Sequence, residues 1–358
     1  MTIKEFSQRL NLSTATVSRA FTPGARIHPD TRTHILEQAR LLGYAPNPSA
    51  RSLAQKRSRL IGIDYPGNPD VLADLYLVEL ARGVQTAVQR ADYGLLFNTL
   101  PRPGGDIELL REWVFGRAVD GVVIVIGPDF SVETLATLAE RDVPCVVIRP
   151  GPLPAMLPLP TVVIDLAEGA QTAMTHLRRL GHERIGFLSS TPNDAVQTLY
   201  TEFLKAEELY DPRLVIATAS TIAEGRAAMH RLLAAPQRPS AVFCRTDVLA
   251  LGALRAVRDM GLRVPEDISL IGHDDIVLVE LSDPALTTLR IDTARIGQLA
   301  AQMLLDAFAD SGHAAPPSNE TPRVVTVGTE LIVRASTGPV THAITLSHSS
   351  YIQTRVPT

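Results

Sequence analysis

The sequence predicts an α/β body preceded by a small all-helical head. Three observations carry that expectation. From residue 60 onward, short apolar runs alternate with amphipathic helical stretches, the pattern of buried parallel sheets covered by helices. Those runs amount to about a dozen strands, too many for one comfortable sheet, so the body is expected as two lobes. The first 60 residues lack such runs and differ in charge. They hold ten Lys or Arg against three acidic residues, whereas the rest of the chain holds 24 bases against 35 acids.

At 358 residues the chain has room for two or three domains. Its content, 45% hydrophobic and 20% charged, is that of an ordinary soluble protein with a sizeable core. A basic head on an acidic body implies that only the head meets a polyanion; a merely solvated basic surface is the bland alternative. The start MTIKEFSQRL lacks the apolar stretch of a secretory signal, and no run approaches the roughly 20 apolar residues of a membrane span. Cys145 and Cys244 lie in the apolar runs PCVVI and AVFCR, outside any CxxC. They are expected as buried thiols in a reducing cytoplasm.

In the head, Ile3, Phe6 and Leu10 recur at helical spacing, with Thr2 as a cap. Asn11-Leu12 breaks that pattern. Ser13 is a good cap for a second helix whose apolar face is Val17, Ala20 and Phe21, ended by Thr-Pro-Gly at 22–24. A third helix starts near Pro29, buries Ile35, Leu36, Ala39 and Leu42, and stops at Gly43. Two short helices across a tight turn, braced by a third, make a helix-turn-helix. In that geometry the second helix enters the major groove of DNA, first turn foremost. Thr14 and Ala15 would reach base edges, Ser13, Thr16 and Ser18 phosphates, and Arg19 a guanine or a phosphate. A hydroxyl-rich capping turn on an unrelated three-helix unit is the alternative.

The following stretch YAPNPSARSL (44–53) begins with prolines and then offers a short helix from Ser49 to about Gln55, followed by basic Lys56, Arg57 and Arg59. Such a helix is too short to stand alone. It could form when docked on a partner copy and DNA, with Leu53 as an apolar wedge in the minor groove. Asn47, Ala50, Arg51 and Leu53 are the residues expected to touch DNA here.

At this point the sequence resembles the lactose-repressor (LacI) family of bacterial transcription regulators. The resemblance rests on TIKEFSQRLNLSTATVSRAF, HPDTRTHILEQARLLGYAPNPSARSL and RSRLIGI. It implies that the first two helices read DNA, that ARSL is a hinge helix, and that Leu53 inserts at the centre of a pseudo-palindromic operator. One departure is His28, where the family usually has a capping Ser.

In the body, candidate strands lie at 60–64, 93–98, 121–126, 144–148, 162–165, 184–189, 214–219, 241–245 and 268–274. Helices are expected near 76–91, 131–141, 168–180, 222–235, 248–260 and 293–309. Ligands of such sheets bind beyond the carboxyl ends of the strands. The family resemblance continues through HLRRLGHERIGFLSS, AVFCRTDVLALGALRAVRDMGLRVPEDISLIGHDD, PALTTLRID and TELIVRAST. It implies a two-lobed effector and dimerisation domain, periplasmic-binding-protein-like, over 60–337. The head would be 1–46, the hinge and linker 47–59, and the tail 338–358. Lobe 1 would hold 60–160 and 291–322, lobe 2 161–290 and 323–337, with crossings near 161, 290 and 323. The tail, rich in Ser and Thr without leucine heptads, gives no sign of a tetramer-forming coil.

The resemblance also implies an effector pocket. Asp274 in GHDD matches an acidic residue that commonly accepts ligand hydroxyls; His273 replaces the usual Phe or Tyr before it. Thr246 replaces a frequent ligand-binding Asn, and Asp247 is kept, either as a ligand contact or as a helix cap. Arg149 stands where sugar-responsive members often have an acid, and LYTEF (199–203) lacks a frequent sugar-binding arginine. Tyr65, Asn68 and Asn98 are weaker candidates. Arg149 favours a carboxylate or phosphate on the ligand, or else pairs with a nearby acid while the ligand is neutral. The implied partners are double-stranded operator DNA, a small-molecule effector and a second copy of the chain, with no membrane, metal or cofactor.

Rival classes find little support. GIDYPGNPD after the first strand has no GxGxxG, and neither GxSxG nor HExxH occurs. His176 and His182 flank a helix end and look structural. A transport binding protein would need an export signal and no basic head.

Overall fold

The structure is a computed structural model that describes residues 1–22, 24–46, 57–65, 75–98, 107–126, 132–140, 143–151, 159–190, 194–310 and 323–340. The head holds α1 (Ile3–Arg9), α2 (Thr14–Ala20) and α3 (Pro29–Leu42). Thr2 and Glu5 form a reciprocal capping box on α1. Ser13 caps α2 by accepting the Thr16 N–H at 3.0 Å. His28 gives α3 no side-chain cap; Pro29 at its first turn needs none for its own nitrogen. Gly43, at φ 61°, takes the left-handed conformation that ends the helix. Phe6, Val17, Ala20, Ile35, Ala39 and Tyr44 form the core, with Phe6 stacked on Tyr44 at 4.2 Å. Ile3, Leu36 and Leu42, expected inside, are exposed. Only two short helices face α3, and a stripe one residue wide, Ile35 and Ala39, suffices to meet them.

The body follows as β1 (Leu60–Asp64), α4 (Leu75–Gln89), β2 (Gly94–Asn98), α5 (Ile107–Phe115), β3 (Gly121–Val125), α6 (Val132–Glu140), β4 (Cys145–Pro150) and β5 (Thr161–Ile164). It continues through α7 (Ala167–Arg179), β6 (Ile185–Ser189), α8 (Ala195–Ala206), β7 (Val215–Ala217), α9 (Ile222–Leu233), β8 (Ala241–Cys244), α10 (Asp247–Asp259) and β9 (Ser269–Asp274). The last elements are α11 (Val277–Glu280), β10 (Thr287–Ile291), α12 (Thr293–Asp310), β11 (Val324–Val327) and β12 (Thr329–Ile332).

Two six-stranded sheets result, ordered β11-β5-β4-β3-β1-β2 and β12-β10-β9-β8-β6-β7. Every pairing is parallel except β10 with β12. Strands such as GVVIV and IGFLS are buried along their whole length, as sheets covered on both faces require. Close helix packing is built in through small residues: a Cβ on Gly83 of α4 would come within 2.0 Å of the Ala294 carbonyl on α12.

The lobe boundaries differ from those expected. β5 and β11 pair with each other in the first sheet, so the chain crosses at about 165 and 328, a strand later than the expected 161 and 323; the second crossing, at about 292, agrees with the expected 290. A buried apolar run does not declare which sheet it joins. Gly338 and Val340 also dock on the second lobe, through His182, Ser269 and Leu180, so the body reaches past residue 337. Helices α5, α8 and α11 and strands β10, β11 and β12 lie outside the segments expected from the sequence pattern. Both cysteines are buried, and burial pushes the Cys145 thiol up to about 12. His176 and His182 are structural: His182 bonds Ser240 and the Gly338 carbonyl, and His176 bonds Thr337.

Candidate DNA-reading face and effector crevice

On the head, the capped start of α2 points its side chains outward. Ser13, Thr14, Ala15, Ser18 and Arg19 are exposed, and Thr16 is half-buried. The Ser13 and Thr16 hydroxyls hydrogen-bond each other at 2.8 Å, so this pair stiffens the first turn as well as offering oxygens. Val17 and Ala20 face inward, which leaves the opposite face to solvent. Arg32, unnoticed in the sequence, spends its charge inside the head. Its guanidinium donates to the carbonyls of Ala20, Thr22 and Ala25 at 2.8–3.2 Å, closing the end of α2 and the turn after it. Lys4, Arg9, Arg19, Arg26 and Arg40 remain exposed. Asn47, Ala50, Arg51 and Leu53 lie outside the described residues.

In the body, the remaining described candidates stand at the carboxyl ends of strands. In the first lobe these are Tyr65 and Asn98, after β1 and on β2, and Arg149 on β4. Asn98 is buried and donates to Asp64 Oδ1 at 2.6 Å. The Tyr65 N–H donates to the Asn98 carbonyl at 3.1 Å. Burial holds the Arg149 guanidinium below its ordinary pKa. Asn68 lies outside the described residues. At the end of β4, the position of a Cβ on Gly151 is 3.6 Å from the Ala195 side chain at the start of α8. There the two lobes meet.

The second lobe's edge is a network. His273 is fully buried; its Nδ1 lies 3.0 Å from Asp274 Oδ1 and 3.4 Å from Arg245 Nη1. Arg245 is ion-paired with Asp194, the cap of α8. Burial, reinforced by the Arg245 charge, drives the His273 imidazole well below its usual range and keeps it neutral. Thr246 caps α10 by accepting the Leu249 N–H and shares a 2.8 Å bond with the Ser220 hydroxyl. Asp247 is neither cap nor open ligand contact. It is fully buried, with Oδ1 accepting from Thr288 at 2.6 Å and Oδ2 from the Ile276 N–H at 2.9 Å. Burial and then the charge of Asp274 push its carboxyl up to about 7. Asp274 and Asp275 both adopt positive φ, 115° and 57°, a strained pair of the kind that gathers at functional sites. Asp275 binds Arg290 at 2.6 Å and Arg334 at 2.8 Å, the latter just beyond the last crossing strand.

Comparison with known proteins agrees with this geometry. Residues 174–337 match a periplasmic binding protein-like domain. The HTH-type transcriptional repressor CytR of Escherichia coli K12 is 31% identical over 345 residues, covering 94% of this chain and 96% of that one. The chain belongs to the LacI family of transcriptional regulators. Among solved structures, a complex of the regulator CelR with cellobiose is 28% identical, covers 94% of this chain and 99% of that one, and superposes with a TM-score of 0.66. The lac repressor dimer bound to operator and an anti-inducer is 22% identical with a TM-score of 0.77, covering 94% and 99%, a likeness of fold.

The chain is thus a DNA-binding transcriptional regulator with an effector domain, and the enzyme and transport-protein readings fall away. Among LacI-family candidates, the structure brings His273, Asp274 and Thr246 to one edge and Tyr65, Asn98 and Arg149 to another. Sequence reasoning missed Asp64, Asp194, Arg245 and Asp275. Arg245 and Asp275 sat beside residues singled out by the family pattern. Asp194 carried a signal of its own, a capping residue before a helix that had not been read as one.

Proposed function

We propose that this chain is a homodimeric, operator-binding repressor whose grip on DNA is set by a sugar derivative held between the lobes. The exposed, capped first turn of α2, with Thr14, Ala15, Ser18 and Arg19 outward, is the observation that carries the DNA half. Arg149 supports an anionic group on the effector, such as a sugar acid or sugar phosphate: a cation already partly stripped of water gains most from a bidentate anion. Exposed Val277, Leu278 and Leu281 on and after α11 support a self-complementary apolar contact between two copies. The setting is the cytoplasm, where DNA lies and the thiols stay reduced. Leu53 is the proposed minor-groove wedge.

The experiment has two arms. A duplex is selected from a random pool by the purified full chain, and sugars, sugar acids and sugar phosphates are screened by thermal shift. Calorimetry then compares the compound found with Arg149→Ala: lost affinity supports the anionic reading, and undiminished affinity removes Arg149 from the site. With Leu53→Ala, weaker binding and straighter DNA support the wedge, and unchanged bending contradicts it.

A further inference from the structure

Asp120, between α5 and β3, gathers the chain that leads from the head into the body. Its Oδ1 accepts from the Ser58 N–H at 2.7 Å and the Ser58 hydroxyl at 2.9 Å, and its Oδ2 accepts from the Arg59 N–H at 3.1 Å. Its own N–H donates to the Leu60 carbonyl at 2.8 Å. From the other side, the Gly94 N–H donates to the Arg59 carbonyl at 2.9 Å. The Leu60 N–H donates to the Ser58 hydroxyl at 3.2 Å. These bonds hold Arg59 at a φ of 56°, a left-handed conformation that a long side chain does not choose freely.

The clamp is tied deeper into the lobe. Tyr93 lies close enough to Asp120 that burial, together with that carboxylate, pushes its phenol up to about 12. The Tyr93 ring stacks on Phe308 of α12 at 5.9 Å, and α12 is the helix that follows the second crossing. The Asp120 carboxylate reaches Ser58 and Arg59, upstream of the β1 ladders that begin at Leu60 and Ile61, whereas the Gly94–Arg59 and Asp120–Leu60 backbone bonds belong to the start of the sheet itself. What the clamp fixes is the last stretch of the tether.

We propose that Asp120 is a positioning residue for DNA binding: it fixes the point at which the head's tether leaves the body, so that Ser58 and Arg59 are already in place when DNA arrives. This rests on the DNA-binding reading above. Without the clamp, Ser58 and Arg59 of each subunit must be ordered during binding, and that lost entropy weakens the complex. The sign is diagnostic. Removing a negative charge close to a polyanion would, by itself, tighten binding.

The test uses the full-length protein and a duplex selected from a random pool by the wild type, with affinity read by fluorescence anisotropy at one salt concentration. Asp120→Asn is expected to bind about tenfold more weakly, with an unchanged salt slope because no phosphate contact is lost. The body should melt as before, and amide exchange at Ser58 and Arg59 should accelerate. Ser58→Ala, which removes a single hydroxyl, is expected to weaken binding about threefold. Equal or tighter binding by both variants overturns the proposal; if Asp120→Asn fails to fold, Ser58→Ala decides it. A wild type that selects no duplex would strike the DNA-binding reading itself, and the proposal with it.

Discussion

In the head, Thr14, Ala15, Ser18 and Arg19 stand in water on a helix of seven residues. At the crevice, His273 and Asp247 are sealed from water, and Arg245 is held by Asp194. The two regions solve opposite problems. A surface that must meet a long polyanion keeps its polar groups solvated and unpaired until contact, since each bond to phosphate replaces one to water. A surface that must respond to a small molecule keeps its charges balanced within a packed edge, so that a single arrival disturbs several neighbours. The head can therefore be altered one side chain at a time, whereas a change at the crevice propagates.

Four experiments break or sharpen that contrast. The largest effect should come from salt. With several phosphate contacts per dimer, affinity for the selected duplex should fall roughly 10³–10⁵-fold between about 50 and 200 mM salt. A flat response in an anisotropy titration would remove the polyanion from the account. Next comes Phe6→Ala. Phe6 is fully buried in a core of six residues, so its loss should cost about 3–5 kcal/mol, enough to unfold so small a unit. Calorimetry should then show the body melting as before while DNA binding disappears. Retained binding would mean that the head does not depend on its own core.

Smaller still is Arg19→Ala, expected to cost about 1–3 kcal/mol on the selected duplex. The slope against salt tells its role: an unchanged slope with relaxed sequence preference marks a base contact, and a slope reduced by about one marks a phosphate contact. The smallest effect concerns pH. The folded carboxyl of Asp247 titrates at about 7 against an ordinary 3.8. Between those values the folded chain keeps a proton that the unfolded chain has released, so stability falls as pH rises through about 7. His273, His176 and His182, whose imidazoles burial lowers, act in the opposite sense around their ordinary 6.5, where the unfolded imidazole takes up a proton and the folded one does not. The difference in melting temperature between wild type and Asp247→Asn, followed from about pH 5 to 8, therefore isolates Asp247. The wild type should lose stability relative to the variant as pH rises across that range. A difference that does not change with pH would contradict the shifted carboxyl.

The same contrast explains what could be read in advance. The head's signals are local. Thr2 and Ser13 before their helices, Pro29 and Gly43 each act within four residues, and all four appear where expected. Alternating runs likewise disclosed most strands of the body. What escaped depends on contacts across long stretches of chain. Nothing in TVVI says that it pairs with VVTV, more than 150 residues later, and that pairing sets the crossings. Asp247 could be read as cap or ligand; its true partners, Thr288 and Ile276, are 41 and 29 residues away. Arg32, one of the ten basic residues counted in the first 60, closes the turn after α2. Charge counts do not distinguish a solvated arginine from one that holds carbonyls.

The account turns on the link between crevice and head, and reciprocity tests it most directly. Using the compound found by thermal shift, the dissociation constant of the selected duplex is measured with and without it. The compound's own dissociation constant is then measured with and without duplex. The prediction is that both constants shift by the same factor, about 5- to 150-fold. A compound that binds tightly between the lobes and leaves the DNA constant unchanged would contradict the claim.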